Sequence, residues 1–258
     1  MKPLFQIENM SVAYGKKSVI RGADLAIYPG ETCALLGLNG SGKTTLLRAA
    51  CGLIASDGKT QVGEVSLDGL TDRQRAKYLS YIPQMTALVR GKSVFEIVLM
   101  GANPHLHLLE SPGPTFHQAA REALARLQLT DLREQEFDTL SQGQKQLVVL
   151  ARSIVQDTPV MLMDEPDSAL DFRNRHLVLG VITRLIREQQ RAGLITMHDP
   201  NFAMAYCDRL LLLKHGDIIG QIEMNRDSHP LIQEKLSQIY GPIELIRHRD
   251  SYFMLQRT

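Results

Sequence analysis

Eight consecutive residues, Gly37-Leu38-Asn39-Gly40-Ser41-Gly42-Lys43-Thr44, have the types and spacing that hold a polyphosphate. Glycines at 37, 40 and 42 let a turn bring its backbone N–H groups onto phosphate oxygens. Lys43 brings a compact positive charge to the outer phosphates, and Thr44 offers a hydroxyl to Mg2+. The apolar run Thr32 to Leu36 before the turn predicts a buried strand, and Thr45 to Ala50 after it predict a helix. Asn39, Gly40, Ser41, Gly42, Lys43 and Thr44 would then line the positive end of a helix dipole, where anions bind.

Other residues supply chemistry that such a loop needs. The run Val160-Met161-Leu162-Met163 ends in Asp164-Glu165-Pro166. Two carboxylates at the end of a buried strand are costly unless they meet a cation or do chemistry. Asp164 is the candidate Mg2+ ligand, through water, and Glu165 the candidate that polarises an attacking water. Ser141, followed three residues on by Gln144, is a capping box that starts a helix. It reads either as an ordinary helix start or as a second anion site, and Gly143 permits close backbone approach. Gln84 follows a strand, Leu79 to Ile82, in the position where parallel α/β sheets place ligands; otherwise it is a solvated loop residue. His198 ends the strand Gly193 to Met197 and reads as a phosphate contact or as structural. Tyr14 stands before the Gly15 turn, where its ring either stacks on a planar base or packs.

The elements that must position these residues show in the hydrophobic pattern. Short apolar pieces between residues 4 and 36, broken at Gly15-Lys16-Lys17 and at Tyr28 to Glu31, predict strands ahead of the first helix. A strand and turn follow at Gly63 to Gly69, and a charged helical piece lies around Asp72 to Lys77. Residues 88–158 change to helical periodicity: a helix at Ser93 to Met100, a Pro/Gly/His-rich connection from Gly101 to Pro114, and a helix at Phe116 to Leu129. His105, His107 and His117 read as solvated, since no carboxylate or cysteine accompanies them at ligand spacing. Phe172 to Gln190 carries one apolar helical face, Arg209 to Gln221 forms two strands about a Lys214-His215-Gly216-Asp217 turn, and Leu231 to Tyr240 is a closing helix.

At 258 residues the chain is long enough for one large domain with a distinct subdomain. Lysine and arginine total 29 against 28 aspartate and glutamate, a net charge of +1, so no nucleic acid is expected as a partner. No segment approaches the ~20 continuous apolar residues that span a bilayer, and Met1 to Glu8 does not read as a secretory signal. The chain is therefore expected to be soluble by itself. Cys33, Cys51 and Cys207 are odd in number and widely spaced, and they read as reduced core residues in a cytoplasmic protein.

In order and spacing, GLNGSGKT at 37, the glutamine at 84, LSQGQ at 140, VMLMDEP at 160 and the histidine at 198 resemble the ATP-binding cassette ATPases. The resemblance covers nearly the whole chain. It implies an α/β fold: a P-loop NTPase core, a mostly parallel sheet flanked by helices, with an N-terminal antiparallel β subdomain and an inserted α-helical subdomain. Within a single ATPase domain of residues 1–258, residues 1–87 and 159–225 would form the core with its β subdomain. Residues 88–158 would form the helical signature subdomain, and 226–258 a C-terminal helix and tail.

The resemblance further implies ATP and Mg2+ as cofactors and a head-to-tail dimer with a second copy, each ATP lying between the P-loop of one subunit and the signature helix of the other. Tyr14 resembles the adenine-stacking aromatic, Lys43, Thr44 and Thr45 the phosphate and Mg2+ group, and Gln84 the residue that senses Mg2+ and contacts the membrane partner. Ser141 and Gly143 resemble the contacts to the γ-phosphate of the opposite ATP. Glu165 resembles the catalytic base, Asp171 the cross-dimer contact and His198 the γ-phosphate switch. Gln142 departs from the common signature, where glycine stands; its side chain is expected near the transferred phosphate, with an effect on hydrolysis rate or dimer affinity.

Gly101-Ala102-Asn103-Pro104-His105, Met197 to Asn201 and Leu236 to Gly241 resemble the ATPase subunits of importers for iron-siderophores, haem, cobalamin and molybdate. These imply an energy-coupling subunit at the cytoplasmic face of the inner membrane, docked on a permease that works with an extracytoplasmic substrate-binding protein. A soluble cassette ATPase of an assembly machine, of the iron–sulfur scaffold type, is the alternative. A non-catalytic nucleotide sensor fits less well with the Asp164-Glu165 pair and His198.

Overall fold

The computed structural model describes residues 1–84, 90–107, 109–249 and 251–257. It contains two compact units, Met1–Asp68 with Ile186–Thr258, and Gly69–Leu185. The boundary that the sequence places between residues 87 and 88 lies outside the described residues.

In the first unit, β1 (Phe5–Tyr14) buries Phe5, Ile7, Met10 and Val12. The change of phase between Ile7 and Met10 is a bulge at Asn9, which takes a positive φ of 49°. β1 pairs antiparallel with β2 (Lys17–Ile27) on one side and β4 (Asp57–Val62) on the other, and β4 pairs with the short β5 (Val65–Ser66). This is the antiparallel β subdomain. Sequence periodicity places a strand only at 63–69, because β4 buries just Thr60 and Val62 and owes its extended form to pairing with β1.

A second sheet of this unit has the order β10, β9, β3, β8, where β3 is Thr32–Leu36, β8 Ala192–Thr196, β9 Arg209–Lys214 and β10 Asp217–Glu223. β3 runs parallel to β8 and β9, and all residues of β3 and β8 are buried, as strands covered on both faces require. The register pairs Leu35 with Thr196 and Leu36 with Leu212, so the carboxyl ends of β3 and β8 lie side by side. Gly37 follows one and Met197-His198 the other. The unit also holds α1 (Lys43–Ala50), α7 (Pro200–Tyr206) and α8 (His229–Tyr240). Beyond α8 the sequence suggests a tail; the structure has an antiparallel hairpin, β11 (Ile243–His248) and β12 (Ser251–Gln256).

In the second unit, β6 (Leu79–Ile82) lies parallel to β7 (Val160–Asp164). With them are α2 (Asp72–Arg75), α3 (Val94–Leu99), α4 (Pro114–Arg126), α5 (Gln142–Gln156) and most of α6 (Phe172–Glu188). Part of the connection after α3 is a 3-10 helix, Met100–His105. His105 is not merely solvated: its Nε2 lies 2.8 Å from the Gln156 carbonyl, one of the unpaired acceptors at the end of α5.

The long α5 buries Gln146 to Ala151, Ser153 and Val155. A stripe of its side chains bonds to β6 and its flanks. Gln146 Nε2 donates to the Pro83 carbonyl (3.2 Å), Ser153 Oγ to Ser80 Oγ (2.8 Å) and Gln156 Nε2 to the Ala76 carbonyl (2.8 Å). Among the described residues no helix is long and apolar enough to cross a membrane.

Candidate active site

The turn from Gly37 into α1 is built to receive anionic oxygens. Gly42 has φ 110°, and a Cβ there would stand 2.7 Å from Ile20 Cδ1, so glycine alone fits. Gly42 caps α1 without a side-chain hydrogen bond, and the first turn carries no acidic residue, so the helix start offers its N–H groups. Lys43 is 6% exposed, and its Nζ donates to the Gly37 carbonyl at 2.8 Å, which holds the ammonium across the loop it closes. Ser41 Oγ is buried with no hydrogen-bond partner among the described residues. An ammonium, hydroxyls and a helix N-terminus are a set of donors, and a polyphosphate is the chemistry that fits them.

Around this loop the first unit places four other candidates. Thr44 and Thr45, partly exposed, stand on the first turn of α1. Tyr14 ends β1 with 55% of its surface exposed, so its ring is not consumed by packing. His198 is exposed just past β8, and the Met197 N–H before it donates to the Leu35 carbonyl (3.3 Å). Asp199 then caps α7, its Oδ1 accepting from the Asn201 N–H (2.9 Å).

The second unit holds the carboxylates. Asp164 ends β7 at 1% exposure and accepts a hydrogen bond from Tyr81 Oη at 3.3 Å. Glu165 is 5% exposed and adopts φ 49°, a left-handed conformation that costs a non-glycine residue about 1–3 kcal/mol. Its carbonyl accepts from Ser168 Oγ (3.0 Å) and the Ser168 N–H (3.2 Å), and its Oε2 accepts from Gln84 Nε2. The structure thus brings Gln84 and Glu165 together across 81 residues of sequence.

The capping box at α5 is present in both halves: the Gln144 N–H donates to Ser141 Oγ (3.3 Å) and the Ser141 N–H to Gln144 Oε1 (2.9 Å). Gln142 on the same turn is exposed. Gly143 has a packing reason beside any functional one, since a Cβ there would come within 3.1 Å of the Ala169 carbonyl. That close approach seats the first turn of α5 on the segment that leads to Asp171. Asp171 accepts from the Asn174 N–H (2.8 Å) and Nδ2 (3.0 Å), which anchors the first turn of α6. Sequence reasoning overlooks Tyr81 and Gln146. Tyr81 is signalled only by its place opposite Leu162 in the β6–β7 register, and Gln146 only as an amide on an otherwise apolar helix face.

The fold and this donor chemistry define a P-loop nucleotide-binding protein. The ABC transporter family model matches residues 20–168, more than half of the chain, and the chain belongs to that family. It is 33% identical over 252 residues to a Helicobacter pylori protein named a probable iron chelatin transport ATP-binding protein, with 96% of this chain and 97% of the relative covered. It is 37% identical over 219 residues to the hemin import ATP-binding protein HmuV of Pseudomonas aeruginosa, covering 83% and 84% of the two chains. A protein named as a putative metal-chelate type ABC transporter, solved in an inward-facing conformation, superposes with a TM-score of 0.81 at 29% identity, over 99% of this chain and 96% of that one. The chain is an ATP-binding ATPase of this family.

Proposed function

We propose that the chain is the energy-coupling subunit of a bacterial importer for a metal chelate or metal oxyanion, of the iron-siderophore, haem, cobalamin or molybdate type. It works as a head-to-tail dimer at the cytoplasmic face of the inner membrane, on a permease fed by an extracytoplasmic substrate-binding protein. Relatives named for iron chelatin and hemin import, similar over most of their length, support this over a soluble assembly ATPase.

The observation that carries the catalytic reading is the bond from Gln84 to Glu165, made on a buried and strained carboxylate one residue past Asp164. Lys43, Ser41 and the start of α1 bind the phosphates, and Tyr14 stacks on the base. Thr44, Gln84 and Asp164 hold Mg2+, which when bound neutralises phosphate charge. Glu165 orients and deprotonates water; its burial keeps bulk water from competing for the carboxylate. His198 reads the γ-phosphate. Ser141, Gln142, Gly143 and Asp171 serve the ATP held by the partner copy. Gln84 joins the two tasks, since its side chain contacts the base and it also meets the permease.

Affinity purification of the tagged chain from native membranes, followed by mass spectrometry, tests the assignment. Recovery of a permease and a substrate-binding protein is the expected result, and recovery of soluble scaffold proteins in their place would overturn it.

A further inference from the structure

The C-terminal hairpin is bonded through its backbone to the helix that begins beside His198. Asn201, the second residue of α7, accepts from the Met254 N–H through Oδ1 (2.7 Å), and its Nδ2 donates to the Met254 carbonyl (3.5 Å). Met254, the fourth residue of β12, lies opposite Leu245 of β11. Leu245 is held in the same manner from α8: its N–H donates to Gln233 Oε1 (2.9 Å), and its carbonyl lies 2.7 Å from His229 Nε2. The outward backbone groups of this rung are thus occupied on both edges, where a two-stranded ribbon would otherwise offer free pairing edges.

The other end of α8 bears on the same loop. Burial, and then the nearby Asp199 carboxylate, push the Tyr240 phenol up to about 12. Asp199 itself holds the Asn201 N–H, so the bonds from Met254 end on the short loop that follows His198. A hairpin needed only to cover core would pack through side chains; this one uses a two-point bond to a residue that lies three positions from the histidine.

We infer that Asn201 is a positioning residue for His198, and that the β11–β12 hairpin, through Met254, sets the geometry of the loop that reads the γ-phosphate. The C-terminal segment then becomes a control point on ATP turnover. This rests on the reading of His198 given above.

The test is steady-state ATP hydrolysis by the full-length chain with Mg2+. Asn201→Ala removes the bond from the α7 side. Met254→Pro removes the donor from the hairpin side, and the Met254 N–H points away from the ladder, a place where an edge strand tolerates proline. Each is expected to lower kcat roughly tenfold while KM for ATP stays within about twofold, the signature of a misplaced group and not of lost binding. In a His198→Ala background neither should lower kcat further, whereas a merely structural role would subtract equally in both backgrounds. Unchanged kcat in both single variants, or an undiminished loss in the His198→Ala background, overturns the inference. Normal turnover by His198→Ala alone would instead remove the role of His198, and this inference with it.

Discussion

Glu165 is held where a carboxylate is least comfortable: buried, in a left-handed backbone, with the amide of Gln84 on one oxygen. Such a group persists when chemistry uses it. Glu165→Gln keeps size, backbone cost and a partner for Gln84, and removes only the basic oxygen. The variant should fold and bind ATP, lose about two to three orders of magnitude in kcat, and accumulate as a dimer on size exclusion in ATP. Normal turnover would show that another group serves as base. At this scale much of the site is legible in the sequence. Gly37 to Thr44 and Asp164-Glu165 are local constellations, whose meaning lies in residue types at fixed spacing. The Gln84–Glu165 bond and the grip of Asn201 on Met254 are not legible, because each joins residues that only the folded chain brings near.

Among the elements, α5 shows both what periodicity reveals and what it hides. Its start is announced by Ser141 and Gln144 and occurs there with both cap bonds made. Its stripe of Gln146, Ser153 and Gln156 reads in sequence as polar interruption, yet those residues tie the helix to β6 and to Pro83, beside Gln84. The Ser153–Ser80 pair is buried, so removing one hydroxyl strands the other. Ser153→Ala should therefore cost about 1–3 kcal/mol in urea unfolding, and the Ser80→Ala, Ser153→Ala double variant less than the sum of the two singles. Additive losses would mean that the hydroxyls do not depend on each other. β4 is the opposite case: with four of its six residues outside the core, it is a strand only because β1 lies beside it.

For the molecule as a whole, the C-terminal segment is where the sequence says least. The apolar residues of β11 and β12 alternate too briefly to announce a hairpin, and side chains from α7 and α8 hold its edges. Tyr240, at the end of α8, gives that packing a measurable signature. Its hydroxyl is buried without a partner among the described residues, and its ionisation is raised to about 12 from 10. Because the folded phenol resists ionisation, its pH-dependent cost is absent below pH 10 and grows as pH climbs from 10 through about 12, where only the unfolded chain gains by ionising. The loss over that interval is on the order of 2 kcal/mol. Tyr240→Phe has no such proton to lose, and at pH 8 it also sheds an unsatisfied polar atom, so it should equal or exceed the wild-type chain by about 1 kcal/mol. Urea midpoints measured from pH 8 to 11.5 should then diverge, with the variant falling less steeply. Parallel curves would show that the phenol ionises freely and that α8 does not close over it.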